Sequence, residues 1–207
     1  MTRSVPRLLV ITDTTLQTRH GHADLARRAI DGGADGIQLR DKDAPVRELL
    51  AVAEATRDVC ARAGVMFYVN DRVDVALGVG ADGVHLGQDD MPTATARSIL
   101  GPDAAIGVTA FTPALAQAAA ADGANYVGFG PIFGTLSKAN PRPATGVEGL
   151  ASFAAACDLP IIAIGSVRAE HVADLLGAGA HGIAAISAVC CAPDVAAAAR
   201  AFARRLP

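Results

Sequence analysis

Gly33-Ala34-Asp35-Gly36 recurs along the chain as Gly80-Ala81-Asp82-Gly83, Gly123-Ala124-Asn125-Tyr126 and Gly179-Ala180-His181-Gly182, at intervals of 47, 43 and 56 residues. Each copy stands between a helical pattern and a short apolar run, so each reads as a helix-to-strand turn. Glycine suits the end of a helix because it takes the left-handed conformation at little steric cost. Each interval has room for two strand–helix units. The last is longer because it also holds an extended loop after the sixth strand. A period of this kind marks a repeated architecture.

Outward from these turns, eight apolar runs read as strands, at residues 8–12, 36–39, 65–69, 84–86, 105–108, 126–129, 160–164 and 182–186. Helical spacing or an opening proline marks the segments between and after them. These are 22–31, 45–63, 73–78, 92 to near 101, 113–121, 147–156, 169–176 and 193–205. Most strands are apolar without alternation, which fits a parallel sheet buried on both faces. Eight units of about 26 residues predict one (β/α)8 TIM barrel over residues 1–207, with an open doubly wound sheet as the alternative.

Composition narrows the function. The 207 residues are 51% hydrophobic with 21 glycines, which argues for a sizeable core and against disorder. A net charge of −3 supplies no basic face, and 4% aromatics without tryptophan supply no base-stacking platform. No nucleic-acid partner is therefore expected. No apolar run of roughly 18 residues predicts a membrane span. Residues 1–7 lack the apolar region of a signal peptide, so a cytoplasmic protein is expected. The cysteines Cys60, Cys157, Cys190 and Cys191 form no C-x-x-C pair, and all four are expected to be buried thiols. Alanine-rich faces at 114–121 and 195–203 suit packing within the monomer or in a homo-oligomer.

In a barrel the active site lies at the C-terminal ends of the strands. The second strand leads to Gln38, Arg40 and Lys42, and the third to Asn70-Asp71-Arg72. Gly87-Gln88-Asp89-Asp90 follows the fourth, and Thr109 ends the fifth. The sixth runs into Gly130-Pro131-Ile132-Phe133-Gly134-Thr135-Leu136-Ser137-Lys138. Here Gly128 and Gly130 leave the backbone bare enough for a ligand to approach. Arg40, Lys42 and Lys138 beside Asp71, Asp89 and Asp90 suit a magnesium–diphosphate site. A ring of salt bridges is the plainer reading. Gly165-Ser166 and Ser187, after the last two strands, stand where barrels often bind a phosphate. Small phosphorylated molecules are thus the expected ligands.

The chain resembles the thiamine-phosphate synthase family over nearly its whole length. The likeness rests on Ile11-Thr12-Asp13, Gln38-Leu39-Arg40-Asp41-Lys42, Asn70-Asp71-Arg72, the run from Gly83 to Asp90, Gly128-Phe129-Gly130-Pro131-Ile132-Phe133-Gly134-Thr135 and Ser137-Lys138. The resemblance implies coupling of a hydroxymethylpyrimidine diphosphate with a thiazole phosphate, releasing diphosphate. It implies that Asp71 and Asp90 hold Mg²⁺. Gln38, Arg40, Lys42, Asn70, Thr109 and Lys138 would bind the pyrimidine diphosphate. Thr135, Ser137, Ser166, Ile186 and Ser187 would bind the thiazole phosphate. A dissociative substitution needs charge placed around the leaving group, here Arg40, Lys42 and Lys138, more than a protein nucleophile. No Ser-His-Asp or Cys-His arrangement is evident. His85 reads as packing or rim support, and His20, His22, His171 and His181 as loop or helix residues without a catalytic part.

The chain departs from the family pattern at Thr109 and Ser137, where a serine and a threonine are usual, at Ser166, where a glycine is, and at Phe111, often a histidine. The related thiazole tautomerases share the barrel and are the first alternative. Their resemblance implies a histidine acid/base near the end of the fifth strand, and Gly107-Val108-Thr109-Ala110-Phe111 offers none. A non-catalytic phosphate-ligand binder is the second.

Overall fold

The computed structural model describes residues 5–134 and 142–207. Eight strands close into a parallel barrel: β1 (Leu8–Thr12), β2 (Gly36–Leu39), β3 (Met66–Asn70), β4 (Gly83–Leu86), β5 (Ala105–Thr109), β6 (Tyr126–Phe129), β7 (Ile161–Ala163) and β8 (Gly182–Ala185). Each pairs with the next, and β8 pairs with β1, Val10 lying opposite Ala185. The doubly wound alternative is thereby excluded. The helices outside are α1 (His22–Asp31), α2 (Val46–Ala63), α3 (Val73–Val79), α4 (Thr93–Leu100), α5 (Pro113–Ala121), α6 (Gly146–Ala154), α7 (Val172–Gly177), α8 (Ser187–Cys190) and α9 (Val195–Ala203). A 3-10 turn at Ala169–His171 leads into α7. The expected helix at 193–205 is α9, which starts where the Asp194 carboxylate accepts from the Ala197 N–H at 2.9 Å. The short α8 was absent from the expectation, because a single turn carries no helical period.

Strand parity divides the core in two. Leu8, Val10, Ile37, Val69, Val84 and Ile106 face the helices. Leu9, Ile11, Tyr68, Ala105, Tyr126, Ile162 and Ala184 form a smaller cluster inside the barrel. Tyr68 and Tyr126 meet edge to face there, with ring centroids 5.9 Å apart. The inward glycines make room for these rings. A Cβ at Gly107 would come within 2.1 Å of the Tyr126 ring, and one at Gly128 within 2.9 Å of His85. At Gly130 it would strike the Ile164 carbonyl oxygen at 2.1 Å. The bareness of Gly128 and Gly130 thus serves side-chain and backbone packing, and both glycines also line the cavity at the C-terminal end of the barrel.

The recurring tetrapeptide has a structural cause. Its third residue staples the start of the preceding odd-numbered strand. Asp35 accepts from the Leu8 N–H at 2.6 Å, Asp82 from Phe67 at 2.8 Å and Asn125 from Ile106 at 2.8 Å. In the fourth copy, His181 Nε2 bonds the Val5 carbonyl at 3.0 Å instead. The staples sit at the N-terminal end of the barrel, opposite the functional rim.

One expectation needs correction. Cys60 and Cys190 are buried, but Cys157 is half-buried and Cys191 exposed. His22 starts α1 as expected of a helix residue, yet it is buried in a polar network. Of the alanine-rich faces, that of α9 packs within the chain, where a Gly32 Cβ would lie 2.6 Å from the Ala199 Cβ.

Candidate active site

A cavity of about 690 Å³ opens at the C-terminal rim. Ten predicted residues line it: Gln38, Arg40, Lys42, Asn70, Asp71, Asp90 and Thr109 on one side, and Ser166, Ile186 and Ser187 on the other. Lys138, Thr135 and Ser137 lie outside the described residues, as do residues 139–141.

Register places the first group. Ile11 lies opposite Gln38, and Thr12 opposite Leu39. Continued one residue pair beyond the strands, the same offset sets Asp13 opposite Arg40. The ladder extends there, with the Arg40 N–H donating to the Thr12 carbonyl at 3.1 Å. Arg40 Nη1 donates to the buried Asp13 carboxylate. Gln38 is 1% exposed, and its Nε2 has no hydrogen-bond partner among the described residues. An unpaired buried amide donor costs free energy unless a ligand meets it.

The acidic pair sits next to this. Asn70 ends β3, and Asp71 turns into the left-handed region at φ 63°. Its N–H still donates to the His85 carbonyl at 2.8 Å, so the backbone is held in that turn. Asp90 Oδ2 accepts from the Gly87 N–H at 2.7 Å. A Cβ on Gly87 would meet the same oxygen at 2.8 Å, so glycine permits the close turn. Burial, and then hydrogen bonding and repulsion from Asp71, push the Asp90 carboxyl above the usual range. Lys42 Nζ lies 3.1 Å from Asp71 Oδ2. Among the described residues no three His, Cys, Asp or Glu side chains cluster as a metal cage. Two adjoining carboxylates still fit a hard divalent cation that keeps waters and takes substrate phosphate oxygens.

The floor holds a network whose Tyr126 the sequence reading did not single out. His85 bonds the Tyr126 hydroxyl through Nδ1 at 3.2 Å and the Thr109 hydroxyl through Nε2 at 3.0 Å. This agrees with a supporting part for His85. Inward parity on β4, β5 and β6 was the available signal. Two further rim residues were missed. Gln88 donates to the Thr109 carbonyl at 2.6 Å, and Arg142 stacks over Phe111, with Cζ 3.9 Å from the ring centroid. No local sequence signal joins Phe111 to Arg142. Across the cavity, Gly165 and Ser166 adopt φ values of 110° and 48°. Serine is thus held where glycine is the usual residue, at a cost in backbone strain. Ser187 opens α8, whose first residues border the cavity.

Comparison with known proteins agrees with this geometry. The family model described as thiamine monophosphate synthase matches residues 8–189. The chain belongs to this family. Among relatives, the thiamine-phosphate synthase of Methanoculleus marisnigri is 49% identical over 199 residues, spanning 96% of this chain and 94% of that protein. That of Moorella thermoacetica is 46% identical, over 93% of this chain and 92% of its own. The thiamine phosphate pyrophosphorylase structure from Pyrococcus furiosus superposes with a TM-score of 0.86 at 37% identity, covering 96% of this chain and 94% of that one. A 3-hexulose-6-phosphate synthase, at 21% identity and a TM-score of 0.74, shares the barrel fold. As a thiamine monophosphate synthase family member, the chain is a transferase of thiamine biosynthesis. No described helix is long and apolar enough to cross a membrane.

Proposed function

We propose that this chain is a Mg²⁺-dependent thiamine-phosphate synthase, with residues 1–207 as one catalytic domain acting in the cytoplasm. It would couple 4-amino-2-methyl-5-hydroxymethylpyrimidine diphosphate with hydroxyethylthiazole phosphate, giving thiamine phosphate and diphosphate. The observation that carries this reading is that one cavity is lined by members of both predicted binding sets, among them Gln38, Arg40 and Lys42 of one and Ser166 and Ser187 of the other, in a chain of this family. Its volume, about 690 Å³, lies within the usual range for small-molecule sites, roughly 300–1,000 Å³.

The residue roles follow from their chemistry. The unpaired Gln38 amide, with Asn70 and Thr109, would hold the pyrimidine at the barrel mouth. Arg40 and Lys42 line the cavity where diphosphate must depart, and Lys138 is the third cation of the set. In a dissociative substitution the C–O bond breaks first, and its electrons leave with the diphosphate. The thiazole nitrogen then donates its lone pair to the pyrimidine methylene carbon. Fixed cations beside the leaving oxygen stabilise the charge that develops there. Asp71 and Asp90 would hold Mg²⁺, which when bound supplies Lewis-acid neutralisation of the diphosphate. Thr135, Ser137, Ser166, Ile186 and Ser187 would hold the thiazole phosphate, so that its ring meets the pyrimidine carbon.

A coupling assay with both substrates, with and without Mg²⁺, tests the reading. Equal, Mg²⁺-dependent yields of thiamine phosphate and diphosphate are expected. Folded protein that leaves both substrates intact, or that isomerises the thiazole without coupling it, would overturn the reading.

A further inference from the structure

One deeply buried charged side chain at the rim, Asp13, has no part in the roles above. Asp13 is 1% exposed, and both of its oxygens are engaged. One accepts from the Thr15 N–H at 2.9 Å and from the Thr15 hydroxyl at 2.6 Å. The other accepts from Arg40 Nη1. A buried carboxylate is tolerated only when paired and hydrogen-bonded. Here the pairing fixes a guanidinium that lines the cavity. Arginine carries its N–H donors in a rigid planar fork, and the Asp13 oxygen grips the Nη1 arm of it. Holding one part of the fork in place sets the direction of the rest.

We infer that Asp13 is a positioning residue: anchored by Thr15, it orients the Arg40 guanidinium toward the diphosphate of the pyrimidine substrate. This rests on the synthase reading and on Arg40 being a diphosphate contact. It adds the reason that Arg40 meets the anion in one geometry. A freely rotating arginine on the rim would have to be ordered by each incoming substrate, and lost orientation is costly in both binding and rate.

The test is a cycle of Asp13→Asn, Arg40→Gln and their combination, all in the full chain. Asparagine keeps an acceptor for Thr15 and removes the charge that grips Arg40. Asp13→Asn is expected to raise the KM for the pyrimidine diphosphate roughly tenfold, while the KM for thiazole phosphate stays within about twofold. The double variant should lose no more than Arg40→Gln alone, because Asp13 acts through Arg40. A loss in the double variant equal to the product of the single losses would overturn the inference, as would a wild-type KM in folded Asp13→Asn. Thr15→Val is the second variant, for use where Asp13→Asn does not fold. It removes the 2.6 Å bond to Asp13 and keeps the charge. A selective rise in pyrimidine diphosphate KM supports the inference, and wild-type kinetics reject it. Calorimetric binding of inorganic diphosphate gives a second readout, weaker in Asp13→Asn and unchanged if Asp13 is only structural. Absence of coupling by the wild-type protein would count against the synthase reading, whereas diphosphate binding by wild type and variant alike counts against Asp13.

Discussion

Ser166 and Asp90 show how single residues are set against local preference for the sake of the site. Ser166 has φ 48°, a region costing an L-residue about 1 kcal/mol or more. Ser166→Gly should therefore raise stability by about 1 kcal/mol, or a few degrees in Tm for a chain of this size. Thermal melts check this. The same variant should raise the KM for thiazole phosphate severalfold, because it removes the hydroxyl at the cavity wall. An unchanged KM would remove Ser166 from the phosphate set. Asp90 is raised by burial and by its neighbour Asp71, a poor arrangement for two carboxylates unless a cation joins them. Asp90→Asn should keep the fold and lower Mg²⁺-dependent turnover by about two orders of magnitude or more. Initial rates across a Mg²⁺ titration decide it, and a wild-type rate and metal dependence would take Asp90 out of the site.

At the scale of elements, the staples at the barrel base are separable from the chemistry at the rim. Asp82→Ala leaves the Phe67 N–H at the start of β3 without its 2.8 Å partner. A buried donor left unsatisfied costs about 1–3 kcal/mol, so chemical denaturation should show a loss of that size. Because Asp82 lies at the opposite end of the strands, kcat/KM of the remaining folded protein should be that of wild type. Helix α1 carries its own pH signature. Arg28, with Arg27, holds the Asp24 carboxyl down from 3.8 to about 2. A carboxyl lowered in the folded state adds stability above its unfolded value, and that contribution is lost as pH falls from about 3.8 towards about 2. Asp24 is a third exposed, so solvent screening limits the contribution to no more than about 1 kcal/mol. Asp24→Asn should flatten the stability profile over that acid window and leave it unaltered at neutral pH apart from this small loss.

For the whole molecule, the closed barrel is what makes one site from six strand ends. The acidic pair is held by backbone bonds, Gly87 to Asp90 and Asp71 to His85. Chelation of divalent ions should therefore abolish coupling while moving Tm by less than about 2 °C, since the barrel core carries the stability. A large drop in Tm would mean that the cation also supports the fold. Gln38, Arg40 and Lys42 from β2 and its following loop, and Ser166 and Ser187 from beyond β7 and β8, line the same cavity, so the proposed reaction needs no second site.

The sequence by itself determined the eight strand–helix units, because burial on both faces demands apolar runs and four of the turns at the barrel base repeat the same glycine, three of them with the same staple. It also determined the parity that points Gln38 and Arg40 together, and the carboxylates and cations that follow the strands. What it left open depended on neighbours far apart in the chain. The pairing of Asp13 with Arg40 needs the β1–β2 register, and the bridge from His85 to Thr109 and Tyr126 needs three strands side by side. The inward Gly128 read as bare backbone until the imidazole of His85 beside it was known. Alternation along a strand is local and legible, whereas the partner across the barrel is set by register and closure, which only the tertiary structure decides.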